Sequence, residues 1–153
     1  MLRNQIQDFF GTNEPSAVIN QTNAYVGSPD EVMMQANKAV YEGKPVLEVA
    51  ELFEAGANAT DDKTVKAQYY MRKATFLVSN NQVQAAIEAA EKNRSLVGDS
   101  LSNLGLLASL RETNGEYAQA AELYEQALAL LPEEDLLGSR EYYEKKVTEM
   151  SQR

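Results

Sequence analysis

The 153-residue chain reads as an all-α protein, an α-solenoid of about three antiparallel helix pairs closed by a C-terminal capping helix. Three observations predict this. Apolar residues recur at spacings of three and four, which places them on one face of a helix. Turn residues, Asn114-Gly115 above all, interrupt that pattern. The stretch 67–100 repeats the pattern of 101–134 at a period of 34 residues, as stacked helical repeats do.

The chain opens with an arm, residues 1–28. Leu2, Ile6, Phe9 and Phe10 share one face of a short amphipathic helix over 2–10, and the Asn/Ser/Thr-rich stretch 11–28 reads as a linker. A helical domain over 29–153 follows. Ser28-Pro29-Asp30-Glu31 starts its first helix, with a capping serine, a proline in the first turn and a glutamate completing a capping box. That helix runs to about Glu42 and is ended by Gly43-Lys44-Pro45. A second is expected from about Val46 to Ala55, with the loop GANATDD after it, so 29–60 forms a degenerate pair.

Within 67–100, Tyr70, Ala74 and Leu77 match Leu104, Ala108 and Arg111 of the later unit. Asn81 takes the turn place of Gly115, and Val83, Ala86 and Ala90 take those of Tyr117, Ala120 and Tyr124. Lys73 and Asn93 fall where apolar or small residues are expected. In 101–134, Gly115 allows the turn and Pro132 ends the second helix. Glu133-Glu134-Asp135 is an acidic turn. A last helix, 139–152, carries Tyr143, Val147 and Met150 on one face and caps the stack, covering candidates such as Leu123 and Leu130.

Leu104, Leu107, Ala108, Gly115, Tyr117, Ala120, Tyr124, Ala127 and Pro132 fall in the order and spacing of the tetratricopeptide (TPR) repeat pattern. The chain resembles that family over 101–134, less fully over 67–100, and weakly over 29–60. Leu104 and Ala108 replace the family's first-helix Trp and Gly, and Arg111 stands where it has Tyr. The resemblance implies a concave groove lined by the first helix of each pair. Carried over, its candidates are Asp30, Met33, Asn37 and Tyr41; then Gln68, Met71, Arg72, Thr75 and Ser79; then Ser102, Gly105, Ser109 and Glu112. This partner-binding groove is mostly uncharged, which suits an extended backbone or a partner helix. One TPR subclass clamps acidic chaperone tails with Lys, Arg and Asn, and the third pair has no such set. Gly105 is the most informative position, since mid-helix glycine weakens a helix by about 1 kcal/mol relative to Ala. Its expected reason is the close approach of a partner's backbone, the alternatives being tolerated drift and close packing against a neighbouring helix of this chain.

The composition narrows function. Net charge is −9, which disfavours nucleic acid and anionic membrane as partners. With no Cys and no His, thiol nucleophiles, imidazole bases, thiolate or imidazole metal sites and disulfides drop out. No Gly-rich phosphate loop or nucleophile motif occurs. Carboxylate pairs such as Glu122/Glu125 and Glu141/Glu144 lie at solvent-facing spacings. The chain is therefore expected not to be an enzyme and to use no cofactor and no metal. Residues 29–64 carry net −5, residues 65–98 net +3 and residues 99–153 net −6. The basic set of Lys66, Arg72, Lys73, Lys92 and Arg94 is either scattered solvated charge or a contact for an acidic partner. Glycosylation sequons occur at Asn20, Asn58 and Asn93.

The expected function is a non-enzymatic scaffold that binds a partner peptide or helix and helps assemble a complex. The alternatives are a self-associating, homodimeric domain, and an accessory domain of a larger enzyme or transport machine. No apolar run is long enough to span a membrane. The start, MLRNQIQDFF, reads as no secretory signal, so a cytoplasmic location is expected, or a periplasmic one where a signal has been removed.

Overall fold

A computed structural model describes residues 27–134 and 138–153. The expected helix at 2–10 and most of the expected linker lie outside them, as does Asp135. The described residues are helical and contain no strand: α1 (Pro29–Tyr41), α2 (Val46–Val49), α3 (Glu51–Asn58), α4 (Lys63–Ser79), α5 (Val83–Val97), α6 (Leu101–Thr113), α7 (Tyr117–Leu130) and α8 (Ser139–Ser151). No helix among them is long and apolar enough to cross a membrane.

Three turns of one design join the helices. Gly43, Asn81 and Gly115 all have positive φ (91°, 63° and 79°). The next residue's N–H then reaches five positions back: Lys44 to the Ala39 carbonyl, Gln82 to Leu77 and Glu116 to Arg111. This closure satisfies carbonyls left over at a helix end. Asn81 does with a side chain what glycine does in the other two turns, since asparagine tolerates the left-handed region. Across these turns α1 packs on α2 and α3, α4 on α5, and α6 on α7. The pairs join through α1–α4, α3–α4 and α5–α6 packing, and α8 packs on α7.

The helix starts follow local chemistry. Ser28 and Glu31 form the expected capping box on α1. Ser100 and Asn103 form a second one on α6, with asparagine in the usual glutamate place. The Asp62 carboxylate accepts from the Thr64 and Val65 amides, so α4 begins at Lys63, ahead of the expected boundary at 67. The helix expected over 46–55 is interrupted at Ala50 and then runs on to Asn58. It is prolonged because Gly56 and Ala57 are buried. A Cβ at Gly56 would run into the Tyr69 ring, so α3 approaches α4 closely only because this residue has no side chain. The Tyr69 hydroxyl in turn donates to the Gly27 carbonyl at 2.5 Å.

The core follows the repeat. Ala74 and Ala108 have no exposure, and neither do Ala86 and Ala120. Small residues there let neighbouring helices touch, and Phe53, Phe76, Leu77, Leu104, Leu107 and Tyr124 fill the space beside them. Met150 of α8 is buried and Tyr143 and Val147 pack against the core, as their shared face predicts. Leu123 is buried, but Leu130, in the last turn of α7 before the chain leaves toward Pro132, remains 47% exposed.

Asn93 is 5% exposed and Asn103 is fully buried. The Asn93 amide donates to the Ala67 carbonyl at 2.7 Å, and its side-chain oxygen accepts from the Asn103 amide at 3.1 Å. Asn103 also donates to the Gly98 carbonyl and accepts from the Ser100 amide. This satisfied network ties α4, α5 and α6 together, and it leaves the Asn93 sequon nitrogen engaged inside the protein.

Candidate functional site

The residues inferred to line a groove occupy one stripe on each of α1, α4 and α6. Asn37, Tyr41, Gln68, Thr75, Ser102 and Ser109 are exposed, while Met33, Met71, Arg72, Gly105 and Glu112 are half-buried. Tyr41 is 92% exposed, the most open of the exposed large apolar side chains among the described residues. Several polar groups of this face are engaged locally. Thr75 donates to the Met71 carbonyl and Ser79 to the Thr75 carbonyl. Arg72 holds Asp30 at 2.9 Å, tying α4 to the start of α1.

At the α6 end the stripe meets the chain's own last helix. A Cβ on Gly105 would sit 3.0 Å from the Tyr143 hydroxyl. Glu112 accepts from the Tyr124 hydroxyl at 2.8 Å and from the Lys146 ammonium at 3.1 Å. What stands by Gly105 is a side chain of this chain's own last helix and not a backbone, as the alternative of close packing against a neighbouring helix has it. Burial pushes the Glu112 carboxyl up, but the hydrogen bonds from Tyr124 and Lys146 and the lysine's charge outweigh it and hold the carboxyl below the usual range. The same pairing raises Lys146, and burial with the Glu112 contact raises Tyr124. The Tyr–Glu–Lys cluster thus fastens α8 across α6 and α7.

A second feature lies on the far side of α4. At about 100° per residue, Tyr70, Lys73 and Leu77 lie roughly half a turn from Gln68 and Thr75. They line an open cleft of about 410 Å³ together with Leu47, Ala50, Glu51 and Glu54 and with Ala85, Glu88, Ala89 and Lys92 of α5. Such a volume is in the range of ligand-binding clefts. Glu54 accepts from Lys73 at 2.8 Å and from the Tyr70 hydroxyl at 2.9 Å. Burial raises the Glu54 carboxyl, yet the Lys73 bond and charge, with Tyr70, bring it below its ordinary value. Burial and the Glu54 contact push Tyr70 up to about 12. The Lys92 ammonium stands over the Tyr70 ring, 6.0 Å from its centre.

The basic set splits once the partners are known. Arg72 pairs with Asp30, Lys73 with Glu54, and Arg94 with Asp99 and Glu91. Asp30, Glu54 and Asp99 come from the acidic blocks on either side, so the positive middle of the sequence is largely neutralised by its neighbours. Arg111 pairs with Glu116 and Glu91. The cleft did not emerge from the groove analogy, although Lys73 signalled it: a lysine at an apolar repeat position needs a buried partner or an opening. Compared with family models, with curated proteins and with solved structures, the chain gives no match in any of the three.

Proposed function

We propose that this chain is a non-enzymatic interaction module of the tetratricopeptide type, which holds a partner segment along the exposed stripe of α1 and α4. The repeat reading is supported by the three turns of one design and by alanines buried one period apart. The observation that carries the functional reading is the open Tyr41 ring on a stripe with Asn37 of α1, a helix packed on α4, whose own stripe carries the uncharged Gln68 and Thr75. An aromatic held in water one turn from an uncharged polar side chain is the residue type that anchors interfaces. The stripe is narrowed at α6 by Tyr143 and Lys146, so the segment is received mainly on α1 and α4.

A photo-crosslinking amino acid at position 41 tests this in the cells that make the protein. A discrete heterologous adduct, absent when the same probe replaces Glu122 on α7, supports the module. Adducts of equal pattern at both positions, or none at position 41, overturn it. A second reading is self-association, favoured by Met34 at 71% exposure, two turns before Tyr41 on α1. Its mark is an adduct between two copies of this chain, with a dimer in sedimentation.

A further inference from the structure

We infer that the cleft between α2–α3, α4 and α5 is a second interaction surface, one that takes a basic-apolar peptide segment, with an apolar side chain in the cleft and lysine or arginine on its rim. This goes beyond the groove reading and stands on different residues. Ala85 and Leu77 form one end of the cleft, and Leu47, 56% exposed, stands at its edge. Because α4 and α5 run antiparallel from the Asn81 turn, that apolar end lies nearest the turn. Tyr70 and Lys92 lie at the other end.

The charges sort in the same way. Both ammonium groups of the cleft have company inside it: Lys73 is on Glu54, and Lys92 stands over the Tyr70 ring with Glu54 nearby. The carboxylates of Glu51 and Glu88 are different. One is on α3 and one on α5, both are exposed, and neither forms an ion pair among the described residues. Glu88 has Lys92 one turn ahead on its own helix, but that ammonium is turned to the aromatic ring. Glu51 follows Leu47 by one turn, and Glu88 follows Ala85 by three residues. The apolar end is thus bracketed on two walls by carboxylates that form no ion pair among the described residues, and the three carboxylates of the cleft outnumber its two ammonium groups, which favours a cation beside a hydrophobic anchor. The net charge of −9 steers the same class of partner.

The probe is a short fluorescein-labelled peptide of leucine and lysine, compared with one carrying glutamate for every lysine, with binding to the full chain followed by anisotropy. The leucine–lysine peptide should bind one to one, and Glu51→Gln with Glu88→Gln should weaken it about tenfold, as loss of two rim charge contacts implies. Leu47→Ser should weaken it as well. Glu122→Gln with Glu125→Gln removes the same charge from α7 and should leave binding within about twofold if the effect is local. Equal weakening by both glutamate pairs means general attraction to an acidic protein and overturns the site. So does absence of binding, or tighter binding of the leucine–glutamate peptide. Loss on Tyr41→Ala but not in the cleft variants moves the peptide to the α1–α4 stripe, sinking this inference while the groove reading stands.

Discussion

The α4–α5 and α6–α7 hairpins share a turn, a period and a set of buried alanines, and at two positions the first has a polar residue where the second has a buried apolar one. Where α7 has Ala127, α5 has Asn93; where α6 has Leu107, α4 has Lys73. Ala127 and Leu107 are buried without exposure. Asn93 is buried too, with hydrogen bonds to Ala67 and Asn103, while the Lys73 side chain keeps 17% exposure and ends on Glu54. One period after Asn103 the sequence has Leu137, outside the described residues. The asparagine pair that joins α5 to α6 therefore gives way, one period on in the sequence, to Ala127 and Leu137. A repeat position accepts a polar side chain when the adjoining repeat supplies its partner, because the cost of burial lies mainly in leaving a group unpaired.

Putting the polar residue into the apolar hairpin should have the largest effect. Ala127→Asn adds volume to a packed contact and an amide with no matching asparagine. Its expected cost is about 4 kcal/mol, from overpacking and an unsatisfied polar group together. A chemical denaturation midpoint near that of the parent would show that the two hairpins are interchangeable at this position.

The reverse change should cost less. Asn93→Ala leaves a small void and strips Asn103 of one partner, but Asn103 keeps the Gly98 carbonyl and the Ser100 amide. The expected loss is about 2 kcal/mol. Pairing it with Asn103→Leu, which also strips the Gly98 carbonyl and the Ser100 amide, should cost less than the sum of the two single changes, since the bond between the asparagines is lost only once. A double variant as damaged as the sum of the singles would mean that the asparagines act independently.

The smallest effect concerns two Tyr–Glu–Lys clusters, Tyr70–Glu54–Lys73 on the first boundary and Tyr124–Glu112–Lys146 under α8. Both carboxyls are held below the usual 4.5 in the folded protein. A depressed carboxyl stabilises the fold above its unfolded value, and the gain is lost as pH falls through the folded value. Each pairing contributes under about 1 kcal/mol at neutral pH, given partial exposure and screening. Glu54→Gln and Glu112→Gln should each flatten the decline of melting temperature below pH 4.5. An acid limb as steep as the parent's in both variants would remove these clusters from the account.

Periodicity, with the cap and turn residues, gave the helical class, the turns at Gly43, Asn81 and Gly115, the Ser28 cap, the buried alanines and the apolar side of α8. Each is legible because its cause is local: a spacing of three or four, a residue that accepts positive φ, a side chain that reaches the next turn's amide. What lay beyond reach depended on residues far apart in the chain meeting in space. The sequence marks Lys73 and Asn93 as exceptions without naming Glu54 or Asn103 as their partners. It marks Gly105 as costly, and only the packing of α8 puts Tyr143 beside it. Nothing in the order of residues signals that α3 runs past Ala55, because that rests on Gly56 meeting the Tyr69 ring. The middle block's positive charge looks like a binding patch until Asp30, Glu54 and Asp99 are folded against it. Local rules fix which face of each helix is apolar, but only the stacking of helix on helix decides which polar groups are consumed inside the protein and which remain for a partner.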